Sequence, residues 1–211
     1  MSIKKIVITG AAGNISYSLI FNLLSKPIFD NSTKISLYLL DIKQTLPVLE
    51  GVKLEIEDCS FECLDSVNVT DNAEFAFTDA EYILLVGAKP RLQGMERADL
   101  LIDNANIFKN QAEIINKCSK KSVKIIVVGN PANTNALIVQ SNTPNIPDEN
   151  ITSLMKLDQN RAKSIFAKKI NVPVSVISQI IVWGNHSITQ FPDLTNCIVN
   201  KNTNGKTLVD D

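Results

Sequence analysis

The 211-residue chain holds one histidine, one tryptophan and four cysteines. Each scarcity excludes something. Cys59, Cys63, Cys118 and Cys197 with a single distant histidine give too few ligands for a zinc site, so no metal is expected. Cys59 and Cys63 fall four apart on an expected helix, and the four sulfurs read as buried free thiols. The opening Met1-Ser2-Ile3-Lys4-Lys5 runs straight into an apolar strand with no apolar leader. A disulfide framework is therefore not expected, and a cytoplasmic location is. Charge of one sign is also missing: the net charge is −1, which leaves no basic footprint for nucleic acid or for an anionic membrane. No apolar run approaches the roughly 18 residues of a membrane span. Repeats and low-complexity tracts are absent as well. What remains is an ordinary globular composition, 45% hydrophobic and 20% charged.

The apolar residues come in short continuous runs separated by helical patterns. Ile6 to Thr9, Ile35 to Leu40, Tyr82 to Val86 and Lys124 to Val128 read as strands, with a shorter one at Val67 to Val69. Ile15, Leu19, Ile20, Leu23 and Leu24 form one helical stripe that Pro27 stops. Further helices are expected over about 46–63 and 99–119. Runs that are apolar throughout, rather than alternating, mean strands covered on both faces. That predicts an α/β fold with a doubly wound, Rossmann-type parallel sheet. Ligands of such sheets sit beyond the carboxyl ends of the strands, so the residues ending each run are the ones to inspect. The rhythm changes near residue 153. A helix with Asp158 and Arg161, a run from Val174 to Trp183 and an Asn204-Gly205 hairpin signal follow. The expected division is 1–153 for one domain and 154–211 for part of an α+β domain.

Gly10-Ala11-Ala12-Gly13-Asn14-Ile15-Ser16 follows the first strand and opens the first helix. Small residues there let backbone approach a pyrophosphate, and the helix start offers free N–H groups. Alone, Gly-x-x-Gly-x-x-Ser is also an ordinary strand-to-helix turn. Asp41 adds to it, because a carboxylate ending the second strand accepts bonds from adenine-ribose hydroxyls. Its charge repels a 2′-phosphate, which favours NAD over NADP.

Gly87-Ala88-Lys89-Pro90-Arg91-Leu92-Gln93-Gly94-Met95-Glu96-Arg97 places two arginines six apart around a glycine. It reads either as a solvated surface loop or as one that closes over an anion. Asp158 and Arg161 share a helix face, as a surface ion pair or as a partner for the lone imidazole beside a carboxylate clamp. His186, in Trp183-Gly184-Asn185-His186, is either a structural histidine at a strand end or an acid/base group that titrates near neutrality.

Thr9-Gly10-Ala11-Ala12-Gly13, Leu40-Asp41-Ile42, Pro90-Arg91-x-x-Gly94-Met95-Glu96-Arg97, Gly129-Asn130-Pro131-Ala132-Asn133-Thr134-Asn135, Leu157-Asp158-x-Asn160-Arg161-Ala162 and Trp183-Gly184-Asn185-His186 occur in one order. Together they resemble the cytosolic-type malate dehydrogenases, and more distantly the lactate dehydrogenases of the same superfamily. The resemblance implies NAD-dependent oxidation of (S)-malate to oxaloacetate and the reverse. It makes His186 the proton acceptor and Asp158 its partner. Arg161 becomes the clamp on the carboxylate beside the reacting carbon. Arg97 becomes the group that polarises the carbonyl, and Arg91 the reader of the distal carboxylate. Asn130 becomes a substrate or nicotinamide-ribose ligand, through a cis bond before Pro131. Gly10, Gly13, Asp41 and Asn104 fall at NAD positions. An uncharged residue in place of Arg91 would suit lactate, whereas arginine suits a small dicarboxylate.

Members of this family continue for roughly another third beyond the point matched by Asp211. The expectation is therefore an incomplete second domain, as a fragment, a truncated product or a chain completed by a companion. A homodimer is expected for the full-length form. The rival expectation is a catalytically impaired NAD-binding remnant, and nothing in the composition suggests a scaffold or peptide-binding module.

Overall fold

Burial on both faces of the apolar runs builds one sheet. The computed structural model describes all residues except 1, 27, 90–93, 95–96, 185–187, 202 and 209–211, and describes 97–99 without their side chains. The chain divides into two compact units, Met1–Ser153 and Leu154–Asp211.

The first unit alternates strands and helices: β1 (Ser2–Thr9), α1 (Asn14–Ser25), β2 (Thr33–Leu40), α2 (Leu46–Asp58), β3 (Leu64–Thr70), α3 (Ala73–Phe77), β4 (Tyr82–Leu85), α4 (Arg97–Cys118), β5 (Lys124–Val127), α5 (Ala132–Ser141) and β6 (Ile151–Ser153). The strands pair in parallel in the order β3-β2-β1-β4-β5-β6. This is the doubly wound order, and its winding reverses between β1 and β4.

Each face of the sheet carries its own core. Ile6 and Ile8 of β1 join Ile20 and Leu24 of α1 and Leu49, Val52 and Ile56 of α2. Val7, pointing the other way, joins Phe108, Ala112 and Ile115 of α4 and Val139 of α5. The helical members recur three or four residues apart, one stripe per helix. Phe108 has no exposed surface, and truncating such a ring to alanine costs about 3–5 kcal/mol.

Local chemistry sets the boundaries. Pro47 sits in the first turn of α2, where its missing N–H is harmless. The expected helix over 46–63 stops at Asp58, because Ser60 takes a left-handed φ of 49°. Cys59 and Cys63 consequently do not share a helix. Cys59 is exposed, and the Cys63 thiol donates to the Leu24 carbonyl at 3.2 Å. All four cysteines are free. Helix α3, absent from the sequence expectation, is capped by Asn72, whose Oδ1 accepts the Phe75 N–H at 3.0 Å. Helix α5 and strand β6 were not expected either.

The second unit holds α6 (Lys156–Lys169), β7 (Ile177–Ser178), β8 (Ile181–Trp183), β9 (Phe191–Asp193), β10 (Ile198–Val199) and β11 (Thr203–Asn204). Strands β11-β10-β7 form one antiparallel sheet and β8-β9 another. Phe166 and Ala167 of α6 pack with Ile177, Ile180, Cys197 and Val199. The hairpin is offset from its expected place. The β10–β11 turn passes through Asn200 and Lys201, at φ 52° and 71°, not through Asn204-Gly205. Gly205 is needed for space, since a Cβ there would lie 2.6 Å from the Cys197 sulfur. Among the described residues no helix is long and apolar enough to cross a membrane.

Candidate functional site

Strand β1 ends at Thr9, and the chain turns at Gly10 with φ +61°. A Cβ on Gly10 would lie 2.3 Å from the Gly87 Cα, just past the exit of β4. Only glycine permits this turn and this approach together. The Gly87 N–H donates to the Thr9 carbonyl at 3.1 Å, tying the two exits at the point where the winding reverses. Gly13 precedes α1, and its N–H donates to the Gly10 carbonyl at 3.1 Å. The first turn of α1 has no side-chain cap. Its free N–H groups suit an anion.

Above these turns lies a cleft of about 820 Å³. Gly10, Gly13, Asn14, Ile15 and Ser16 form one side, with Asp41, Ile42 and Lys43 after β2 and Gly87, Ala88 and Lys89 after β4. The Asp41 carboxylate accepts the Ala12 N–H at 2.9 Å through Oδ2 and the Ile42 N–H at 2.8 Å through Oδ1. Both bonds are charge-assisted, and they tie the glycine turn to the β2 exit. Each carboxylate oxygen keeps acceptor capacity for a hydroxyl.

Gln111 of α4 also lines the cleft, and its Oε1 is buried without a hydrogen-bond partner among the described residues. An orphaned acceptor in a cleft wall matches a donor brought by a ligand. Sequence reasoning missed Gln111, because nothing in the local pattern of a long amphipathic helix singles it out. A narrow glycine turn, a helix start, a carboxylate and this buried acceptor together fit the phosphates and sugars of a dinucleotide.

The remaining expected residues fall elsewhere. Asn104 is fully buried and lies behind the cleft wall. Its Oδ1 accepts the Lys89 N–H at 2.7 Å and its Nδ2 donates to the Lys89 carbonyl at 3.3 Å. Asn130 is exposed at the exit of β5, with a cis peptide to Pro131. Arg97 begins α4. Arg91 and His186 lie outside the described residues. In the second unit, Asp158 is 7% exposed in the first turn of α6, and the Arg161 Nη1 approaches its Oδ1 at 3.7 Å. A buried carboxylate of this kind holds a fixed position from which to orient a cation or a ring N–H.

A separate depression of about 560 Å³ lies at the amino end of β2. Its polar groups are engaged with one another: Thr33 with Asp30, Lys34 with the Glu62 carbonyl and Cys63 with the Leu24 carbonyl. It lacks the convergent free groups of the first cleft.

Comparison with known proteins agrees with this architecture. Residues 4–152 match the family model for the lactate/malate dehydrogenase NAD binding domain, and residues 155–205 match that for the alpha/beta C-terminal domain. Cytoplasmic malate dehydrogenases of Taenia solium and Gallus gallus are 49% and 47% identical, each match covering 93% of this chain and 59% of the relative. The crystal structure of malate dehydrogenase from Naegleria fowleri matches with a TM-score of 0.90 at 41% identity, over 94% of this chain and 61% of that one. The Trichomonas vaginalis lactate dehydrogenase in complex with NADH and oxamate matches with a TM-score of 0.89 at 38% identity, over 98% of this chain and 63% of that one. The chain thus spans about three-fifths of the length of the curated relatives it matches. With both domains of the family matched in order, the chain belongs to the lactate/malate dehydrogenase family.

Proposed function

We propose that this chain binds NAD and carries the groups that interconvert (S)-malate and oxaloacetate. The observation that carries the reading is the cleft over the β1–β4 reversal, with Asp41 at its β2 side. Gly10, Gly13 and the first turn of α1 would hold the pyrophosphate, Asp41 the adenine-ribose hydroxyls, and Gln111 a donor further along. The Asp41 charge disfavours a 2′-phosphate, so NAD is preferred to NADP. When bound, NAD supplies the two-electron acceptor for the carbon that bears the malate hydroxyl.

The chain's own residues do the rest. His186 takes the proton from the malate hydroxyl and returns it in the reverse direction. Asp158 fixes the imidazole tautomer and stabilises the imidazolium. General base catalysis of this kind contributes ~10²–10⁴-fold. Arg161 grips the carboxylate next to the reacting carbon, where its planar fork matches two oxygens. Arg97 polarises the carbonyl of oxaloacetate, and Asn130 donates to substrate or to the nicotinamide ribose. Arg91 pairs with the distal carboxylate, which pyruvate lacks. The match to solved lactate dehydrogenases and malate dehydrogenases is about equal in fold, so Arg91 carries the choice of substrate. In its full-length form the protein is proposed to be a homodimer with small dicarboxylate substrates.

Two measurements on the 211-residue chain test this reading. NADH is titrated by nucleotide fluorescence, and NADH oxidation is followed with oxaloacetate and with pyruvate. Binding with turnover of oxaloacetate but not pyruvate is expected. Failure to bind NADH would overturn the reading. Binding without turnover would favour a second one, an NAD-binding chain that is catalytically impaired alone, which the 59% coverage of the curated relatives keeps in play.

A further inference from the structure

Asn204-Gly205 is the one asparagine–glycine pair in the chain, and the β10–β11 turn does not use it. Such a pair carries a chemistry of its own. Glycine has no side chain to shield its amide nitrogen, so that nitrogen can reach the carboxamide of the residue before it. The nitrogen attacks the asparagine Cγ. A nitrogen–carbon bond forms, the Cγ–Nδ2 bond breaks, and ammonia leaves with the proton that the glycine nitrogen gave up. The product is a five-membered succinimide. Water then opens the ring at either carbonyl and leaves aspartate or isoaspartate. In sum, asparagine and water give a carboxylate and an ammonium ion, with no oxidation and no other reactant.

In the folded second unit each group that this step needs is engaged. The Gly205 N–H donates to the Cys197 carbonyl at 2.7 Å. The Asn204 Nδ2 donates to the Thr195 carbonyl at 3.1 Å, and its Oδ1 accepts the Lys206 N–H at 2.8 Å. The Asn204 carbonyl accepts the Thr207 hydroxyl at 2.8 Å. Nucleophile, leaving group and carboxamide oxygen each have a different partner, so the carboxamide cannot turn onto the Gly205 nitrogen until those bonds break. The hold is nevertheless local. Strand β11 is two residues long at the edge of its sheet, paired with β10, and Asn204 is exposed. Short exposed elements open at the low end of a fold's free-energy scale.

Gly205 itself is buried. A Cβ on it would lie 2.6 Å from the Cys197 Sγ and 3.2 Å from the Phe166 ring, and both residues belong to the core of this unit. Isoaspartate lengthens the main chain by one methylene immediately before Gly205. A backbone fitted this closely has no room for it. We propose that Asn204 is a modification site gated by the fold: water deamidates it only when β11 lifts from β10, and the isoaspartate product keeps β11 from closing again over Cys197. Nothing in this site depends on what the cleft of the first unit binds.

The 211-residue chain is aged in mildly alkaline buffer, native and in urea. Peptide mapping by mass spectrometry follows the amide-to-acid change at Asn204, and isoaspartyl methyltransferase labelling measures isoaspartate. Brief alkylation at each time point reports which cysteines are open. Conversion is expected in urea and should be at least about tenfold slower in the native chain, the equivalent of about 1.4 kcal/mol of opening. Thr207→Ala should speed native conversion about two- to tenfold, the factor that one hydrogen bond carries, and Thr207→Ser should return it toward the wild-type rate. Cys197 should label only in converted chains. Asn204→Gln, whose longer carboxamide closes the ring poorly, should keep Cys197 closed throughout. Equal rates with and without urea, no conversion in either, or Cys197 labelled while Asn204 is intact would each overturn the proposal. So would isoaspartate chains in which Cys197 stays closed. Should Thr207→Ala fail to fold, the native and urea rates of the unmodified chain decide alone.

Discussion

Replacing Gly10 with alanine should be the most damaging glycine substitution in the first unit, and the structure gives the size. Gly10 has φ +61°, a region that costs an L-residue about 1–2 kcal/mol. The new Cβ would lie 2.3 Å from the Gly87 Cα and 2.7 Å from its nitrogen, where carbon contacts prefer about 3.5–4.0 Å. The exits of β1 and β4 must move apart by more than about 1 Å to admit it. Overpacking of that kind costs about 1–3 kcal/mol. The movement also stretches the bond from the Gly87 N–H to the Thr9 carbonyl, worth about 1 kcal/mol. The total is about 3–6 kcal/mol, a large share of the roughly 5–15 kcal/mol stability of a typical fold. Two controls separate the contributions. Gly87→Ala meets the Gly10 Cα at 2.9 Å without a left-handed φ, so only the contact is at issue. Gly94 has φ +83° and open space around its Cβ, so only the strain is. Urea unfolding followed by far-ultraviolet circular dichroism should order the midpoints Gly94→Ala, Gly87→Ala, Gly10→Ala from highest to lowest. With a denaturant slope of about 2 kcal/mol/M, the last should fall by about 1.5–3 M. Gly10→Ala unfolding within about 1 kcal/mol of Gly94→Ala would refute the backbone-contact argument.

Three further outcomes are expected. Asp41→Ser removes a charge-assisted acceptor worth about 1.5–3 kcal/mol, so the NADH-to-NADPH affinity ratio should drop by about 10–100-fold; an unchanged ratio in paired fluorescence titrations rules out Asp41 as the ribose reader. Arg91→Gln should lower kcat/KM for oxaloacetate by a similar factor while the NADH Kd stays put, and equal oxaloacetate turnover in the variant would sink the dicarboxylate assignment. The carboxyl of Asp193 is lowered from 3.8 to about 2, first by the Trp183 indole N–H that donates to it at 3.0 Å and then by Thr195. Because the folded value lies below the unfolded one, this contribution is present above about pH 4 and is lost as pH falls toward about 2. Emission from the lone Trp183 should change across that window, and Asp193→Asn should abolish the change.

Much of the first unit was readable before folding, because its strands announce themselves as uninterrupted apolar runs that need cover on both sides. Ile6 and Val7 serve opposite cores with no polar residue between them. The parts that were not readable have short or polar signatures. Strand β6 is three residues with one large apolar side chain, and it becomes a strand only because β5 offers an edge. After Ala132, helix α5 opens with Asn133-Thr134-Asn135, three poor helix formers, and is held by tertiary packing of Val139. At the site, Asp41 was legible because it ends a strand. Gln111 was not, since its place in the cleft depends on how α4 lies across the sheet. Asn104 was placed at a cofactor position by resemblance, but its bonds to the Lys89 main chain were not legible, since a backbone partner leaves no trace in a motif.

The contact between Gly10 and Gly87 has an evolutionary consequence. The bottom of the cleft is peptide backbone against peptide backbone, so no single substitution can give it a new side chain and leave it in place. Side chains whose replacement could alter which dinucleotide this cleft prefers lie around that floor, Asp41, Ile42, Lys43 and Gln111 among them. The common part of a nucleotide is therefore read by something that mutation cannot easily revise. The distinguishing part is read by residues that it can replace one at a time.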